Sequence, residues 1–221
     1  MTYLELCQLV YEEIDTRVGT TLTTTDLTSL TDPFQRRVVR AVARAYLEIQ
    51  QSQSQWEFLR NKGKFLDVIA EKDSYTKAGV EKINYTGMYF VPENSTARYP
   101  MCAGCYDSYK YLQSTSPYLP LGVPYELIDG PFDDYILYHT PNTNGAVYAE
   151  WWDEPTPFET DDDEPIWAEN FHTLVAWKAI REIGVTDVED QSGKELQERA
   201  QRYLLETFHR FHAKYLPSFR T

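Results

Sequence analysis

The stretch from Tyr118 to Trp167 does most to limit what this chain can fold into. It carries Leu121-Gly122-Val123-Pro124-Tyr125-Glu126-Leu127-Ile128 and then Tyr135-Ile136-Leu137-Tyr138-His139-Thr140-Pro141-Asn142. After a turn at Gly145 follows Val147-Tyr148-Ala149-Glu150-Trp151-Trp152-Asp153-Glu154-Pro155. Three alternating aromatic-aliphatic runs, parted by Gly, Pro and Asn, read as a small antiparallel sheet. Glu164-Pro165-Ile166-Trp167 then opens a helix, and the chain on both sides reads as helical. The expected class is α+β. A helical bundle comes from both chain ends, residues 1–55 and 159–221, with a β-rich antiparallel insertion over 56–158 and a tail over 213–221.

The helices are marked by their ends. Thr2-x-x-Glu5 is a capping box, and Tyr3, Cys7, Val10, Ile14 and Val18 recur behind it at helical spacing until Gly19. Thr20 to Thr31 is Thr-rich and without period, a loop. Asp32 is a natural N-cap and Pro33 fits the first helical position. Phe34, Val38, Ala41, Val42, Ala45 and Ile49 line that helix's buried face. The third helix is expected from Pro165 to about Gly184, apolar enough to be covered on more than one side. A second capping box, Ser192-x-x-Glu195, starts a fourth helix that Pro217 ends.

Trp56-Glu57-Phe58 and Phe65 to Ile69 flank Asn61-Lys62-Gly63 and read as a hairpin, with a further strand over Ile83 to Val91. Tyr106, Tyr109 and Tyr111 mark an ordered short strand or turn.

A formal charge of −13 opposes nucleic-acid binding through a basic patch, yet fits a wall that DNA passes without being held. Seventeen Tyr and five Trp suit both a core and surfaces where proteins meet. No run of about 18 apolar residues exists, so no membrane span is expected. Acidic residues within the first periodic segment do not suit a secretory signal. Three cysteines make no disulfide framework and fit a reducing compartment.

The candidate chemistry is thin. Cys102-Ala103-Gly104-Cys105 has the spacing of half a zinc site or a redox pair, but no second pair follows, and a turn with incidental thiols is the plainer reading. His209 and His212 share a helix face without a His-Glu-x-x-His pattern. No nucleophile elbow, phosphate-cradling loop or dinucleotide fingerprint occurs. The sequence therefore offers no catalytic residue, no metal ligand set and no cofactor. Arg36, Arg37, Arg40 and Arg44 crowd two turns of one helix and call for carboxylate partners, within the subunit or on a neighbour. Asp161, Asp162 and Asp163 form an acidic linker that suits such a subunit interface.

The order of the pieces resembles the head-to-tail adaptor (neck) proteins of tailed bacteriophages. The resemblance rests on the Asp32-Pro33 helix, Ala45-x-x-x-Ile49-Gln50, Trp56-Glu57-Phe58, and Gly122-Val123-Pro124-Tyr125. It continues through Leu137-Tyr138-x-x-Pro141-Asn142, the strand ending at Trp152, and Ile166-Trp167 through His172-x-Leu174-Val175. It covers most of the chain, least well over residues 70–120. It implies a structural virion protein made in the host cytoplasm and no enzyme. A homo-oligomeric ring, usually dodecameric, would dock beneath the portal protein and hand the DNA channel on to a downstream neck or tail protein. Double-stranded DNA would pass without sequence-specific binding, and no membrane is involved. It also implies a C-terminal grip on the portal through Tyr215, Leu216, Pro217, Phe219 and Arg220. A tail-tube or tail-completion ring protein is the alternative within the class. A small metal-dependent hydrolase using His209, His212 and the Asp161–Asp163 run is the alternative outside it.

Overall fold

The structure, a computed structural model, describes residues 1–14, 26–115, 120–131, 133–187 and 191–216. In chain order the elements are α1 (Tyr3–Ile14), α2 (Pro33–Gln51), β1 (Arg60–Val68), β2 (Ser74–Thr76), β3 (Val80–Pro92), β4 (Tyr99–Pro100) and β5 (Cys102–Ala103). There follow α3 (Tyr106–Thr115), β6 (Leu121–Gly122), β7 (Glu126–Asp129), β8 (Asp134–Tyr138), β9 (Thr140–Pro141), β10 (Gly145–Asp153), α4 (Thr173–Asp187) and α5 (Gln191–Tyr215). The fold is α+β, with helices at both ends of the chain. It divides into two compact units, Met1–Phe58 with Pro155–Thr221, and Leu59–Glu154. The division falls inside the expected 56–158 because Trp56, Phe58 and Phe158 are anchored among helical-unit aromatics. Trp56 and Phe58 pack on Phe211, while Phe158 is stacked between Tyr3 and Tyr46.

In the helical unit, α1 begins with all four of its otherwise orphaned amides satisfied. Tyr3 N donates to the Asp163 carbonyl (2.7 Å), Leu4 N to that of Asp161 (3.0 Å) and Leu6 N to that of Thr2. The capping box supplies the fourth: Glu5 N donates to Thr2 Oγ1, and Thr2 N reciprocally to Glu5 Oε2. Asp32 caps α2 as expected, accepting from Phe34 N and Gln35 N. The far end of α2 is closed by Trp56, whose indole N–H donates to the Ile49 and Gln50 carbonyls. Gln50, fully buried, pairs its amide with both backbone groups of Thr156. α4 packs on α1, α2 and α5, with Leu174, Val175, Ala176, Ala179 and Ile180 all buried.

Two helix boundaries differ from expectation. α4 starts at Thr173 instead of Pro165, because side chains take the preceding backbone groups out of helical pairing. Ala168 N donates to the Tyr215 hydroxyl, and the buried His172 Nε2–H donates to the Trp167 carbonyl. α5 already includes Gln191, so Ser192 lies within the helix and is not its N-cap.

The second unit holds two four-stranded sheets, β1-β10-β3-β4 and β2-β8-β7-β5, and a short β6-β9 pair. Pairing is antiparallel except for β5–β7 and β6–β9. Strand alternation sorts the side chains. Leu127 and Leu137, opposite each other, join Phe65, Phe90, Met88 and Val147 in one core drawn from both large sheets. Their neighbours Ile128 and Ile136 point the other way and pack against Tyr109 of α3.

Three sequence expectations are corrected here. Asn61-Lys62-Gly63 is no hairpin turn but runs through β1, paired with Trp151, Glu150 and Ala149. Tyr106, Tyr109 and Tyr111 lie on a helix, with Tyr109 buried on the sheet. The three runs after Tyr118 do not form one sheet: β7 and β8 pair together, while β10 enters the other sheet between β1 and β3. Among the described residues, no helix is long and apolar enough to cross a membrane.

Candidate interaction surfaces

The arginine cluster does share one helix. Arg36, Arg40 and Arg44 are exposed on α2, while Arg37 is half-buried. Arg44 reaches Glu182 of α4 at 3.9 Å, beside a Lys178–Glu48 pair at 2.7 Å that joins the same two helices. Arg36 and Arg40 have no ion-pair partner among the described residues, leaving an exposed cationic row.

The Asp161–Asp163 segment is largely engaged within its own unit. Its backbone carbonyls cap α1, and Asp161 Oδ2 accepts from Leu27 N at 2.8 Å. The Asp163 carboxylate accepts from the Thr160 amide and hydroxyl and from Glu159 N, and these bonds hold its pKa below the ordinary carboxylate value. Asp162 is the exposed member of the three.

Tyr215 is half-buried and engaged within its own unit. Its ring packs on Phe58, Phe171 and Phe211, its hydroxyl accepts from Ala168 N, and its carbonyl accepts from Glu57 N. Leu216 is half-buried, with its amide donating to the His212 carbonyl. Pro217, Phe219 and Arg220 lie outside the described residues.

His209 and His212 do not converge with the acidic segment. Among the described residues, no three His, Cys, Asp or Glu side chains form a metal-ligand set. His212 instead meets Trp56 and Phe208 edge-on at 5.2 and 5.5 Å. Burial first, and the neighbouring His209 second, hold its pKa below the ordinary 6.5. The unfolded chain then binds the proton more readily. Stability from this site is complete above 6.5 and falls as the pH drops through that value towards the folded-state pKa. The melting temperature should therefore decline on acidification more steeply in the natural chain than in H212Q; equal slopes would remove His212 from the account.

Cys102 and Cys105 are both exposed and unbridged. Cys105 stands at the start of α3, where hydrogen bonds from Ser108 and Asp107 lower its thiol pKa.

One surface went unread in the sequence. Because Val147 and Ala149 face the core, Tyr148 and Glu150 face outwards, and register carries this across the sheet. Lys64, Tyr148, Tyr89 and Pro100 form one outward row, and Lys62, Glu150 and Asn84 the next. Tyr89 and Tyr148 stack at 5.2 Å and 6°, with the Arg98 guanidinium 4.9 Å from the Tyr89 ring centre. The signal was there as Arg60-x-Lys62-x-Lys64, charged at every second residue, but the supposed hairpin hid it.

The chain matches no protein-family model and no curated protein.

Proposed function

We propose that this chain is a head-to-tail adaptor of a tailed bacteriophage, a structural subunit of a ring beneath the portal that continues the DNA channel towards the tail. The observation that carries the reading is architectural. A helical unit assembled from two separate chain segments brackets a β-rich unit, in the order the resemblance implies. The strong negative charge suits a channel that repels phosphate and so passes DNA instead of retaining it. The unpartnered Arg36 and Arg40 suit a contact with a neighbouring carboxylate surface.

The mass of the protein alone, and then with a portal ring from the same source, tests this. A shift of about twelve copies onto the portal, the number that the resemblance implies for the closed ring, is expected. A chain indifferent to portal would overturn the reading. Because Tyr215 anchors the helical unit, the grip is tested by deleting residues 217–221 only. That variant should keep its melting temperature and lose portal affinity at least about tenfold. Full binding would place the grip elsewhere.

A further inference from the structure

The outward face of the β1-β10-β3-β4 sheet departs from the charge of its chain. It gathers Arg60, Lys62 and Lys64 from β1, Lys82 from β3, and Arg98 beside Tyr89. These are five of the eight Lys and Arg between Leu59 and Glu154. Of its outward carboxylates, Asp67 and Glu150 are paired to Lys64 and Arg60, and Glu93, at the rim beside Lys64 and Asp67, accepts from the Asn144 amide. Glu81 lies close enough to Lys82 to feel its charge. No salt bridge engages Lys62, Lys82 or Arg98 among the described residues. The rest of the molecule is correspondingly more acidic, since the whole chain holds 34 Asp and Glu against 21 Lys and Arg.

The opposite condition holds at the β7–β8 turn of the same unit. Asp129 and Asp133 are exposed there and Asp134 is half-buried. Asp134 accepts from the Thr76 hydroxyl, and no cation pairs with any of the three among the described residues. Burial first and the Asp133 carboxylate second raise the Asp129 pKa, and both carboxylates act on Tyr135, pushed up to about 12 after burial. These are like charges left uncompensated, and an incoming cationic surface would relieve them.

We propose that the outer face of the β1-β10-β3-β4 sheet docks a second copy of this chain, which presents Asp129, Asp133 and Asp134 to Lys62, Lys82 and Arg98. The inference deepens the ring reading above and rests on it. Two different patches of one unit meet, so the contact is heterologous and repeats from copy to copy, which closes a ring or extends a filament. DNA suits the face less well. Arg60 and Lys64 are already paired, which leaves few cations for counterion release. The facing sides of the Tyr89 and Tyr148 rings are taken by each other and Arg98 covers Tyr89, so little ring surface remains for base stacking. The stacked rings and Arg98 instead form a rigid aromatic-cationic ridge of the kind enriched at protein interfaces.

Sedimentation of the full chain at low salt tests this with two variants. K62E/K82E keeps the acidic turn and reverses the sheet face. D129N/D133N keeps the sheet face and removes two of the turn's three charges without setting a new cation opposite a reversed face; Asn also suits 133 because that residue has φ 58. The natural chain is expected to self-associate and to come apart by about 0.5 M salt, where exposed charges are screened. Each variant should associate at least about tenfold more weakly. An equimolar mixture should form dimers and nothing larger, because it holds one intact pair of patches. Melting curves for both variants confirm that they fold. A natural chain that stays monomeric to about 1 mM would overturn the proposal, as would variants that associate like it. A monomer that binds short duplex DNA and loses it in K62E/K82E would overturn it in favour of a nucleic-acid face. Undiminished loading of either variant onto the portal ring would sink the copy-to-copy contact while leaving the adaptor reading in place.

Discussion

Truncation of Trp56 to alanine is expected to cost the helical unit about 5 kcal/mol, from lost aromatic packing and a Gln50 carbonyl left without its indole donor; the Ile49 carbonyl keeps the Ser52 amide and hydroxyl. Trp56 is fully buried, stacks on Phe58 at 5.2 Å and meets Phe211 edge-on at 5.1 Å. Its N–H also helps to close the C-terminus of α2, together with the amide and hydroxyl of Ser52. The two contributions separate in W56F, which keeps most of the packing and gives up the hydrogen bonds, for about 2 kcal/mol. Thermal unfolding followed by circular dichroism checks both. The alanine variant should melt about 10 °C lower or more. If W56A and W56F melted together, packing around Phe211 would not depend on the indole.

Gly145→Ala should damage the β unit by about 3 kcal/mol, at the upper end of what one extra methyl does in a packed interior. A Cβ at Gly145 would lie 2.6 Å from the Phe90 ring and closer still to the Val91 carbonyl. Neither neighbour can yield. Phe90 is fully buried, and both belong to β3, which pairs on each side with β10 and β4. Shortening the ring relieves one of the two clashes, so G145A/F90L should be less destabilised than the single costs predict when added. A double variant whose loss is the plain sum would show that the carbonyl alone sets the limit.

How much the sequence disclosed depended on whether the signal was local. Thr2/Glu5 and Asp32/Pro33 each act within one turn, and both caps stand where the spacing places them. The first half of β1 was misread because Asn61-Lys62-Gly63 has turn chemistry, and only its pairing with Trp151, Glu150 and Ala149, far along the chain, holds it straight. α3 was missed because Tyr-rich sequence favours strands; Tyr109 is helical because the outer face of β7 and β8 offers it Ile128 and Ile136. The start of α4 was misplaced because Tyr215 captures the Ala168 amide from the other end of the unit. The surfaces follow the same rule. Arg36 and Arg40 were found because helical spacing is local, whereas the cationic sheet face exists only through cross-strand register. Tyr215 is placed at a partner contact by the resemblance alone, and nothing near it in sequence names Phe58 or Phe171 as its neighbours.

The place of β1 at the edge of its sheet has a consequence during synthesis. Its sole neighbour in that sheet is β10, made roughly eighty residues later, a wait of about 4–16 s at ordinary elongation rates. Through that interval Phe65, Leu66 and Val68 are on a nascent strand whose pairing edges are both open. Lys62 and Lys64, which precede them, are the charged gatekeepers that discourage such a strand from joining another nascent chain. The same cations that shape the finished surface therefore protect the chain before any surface exists.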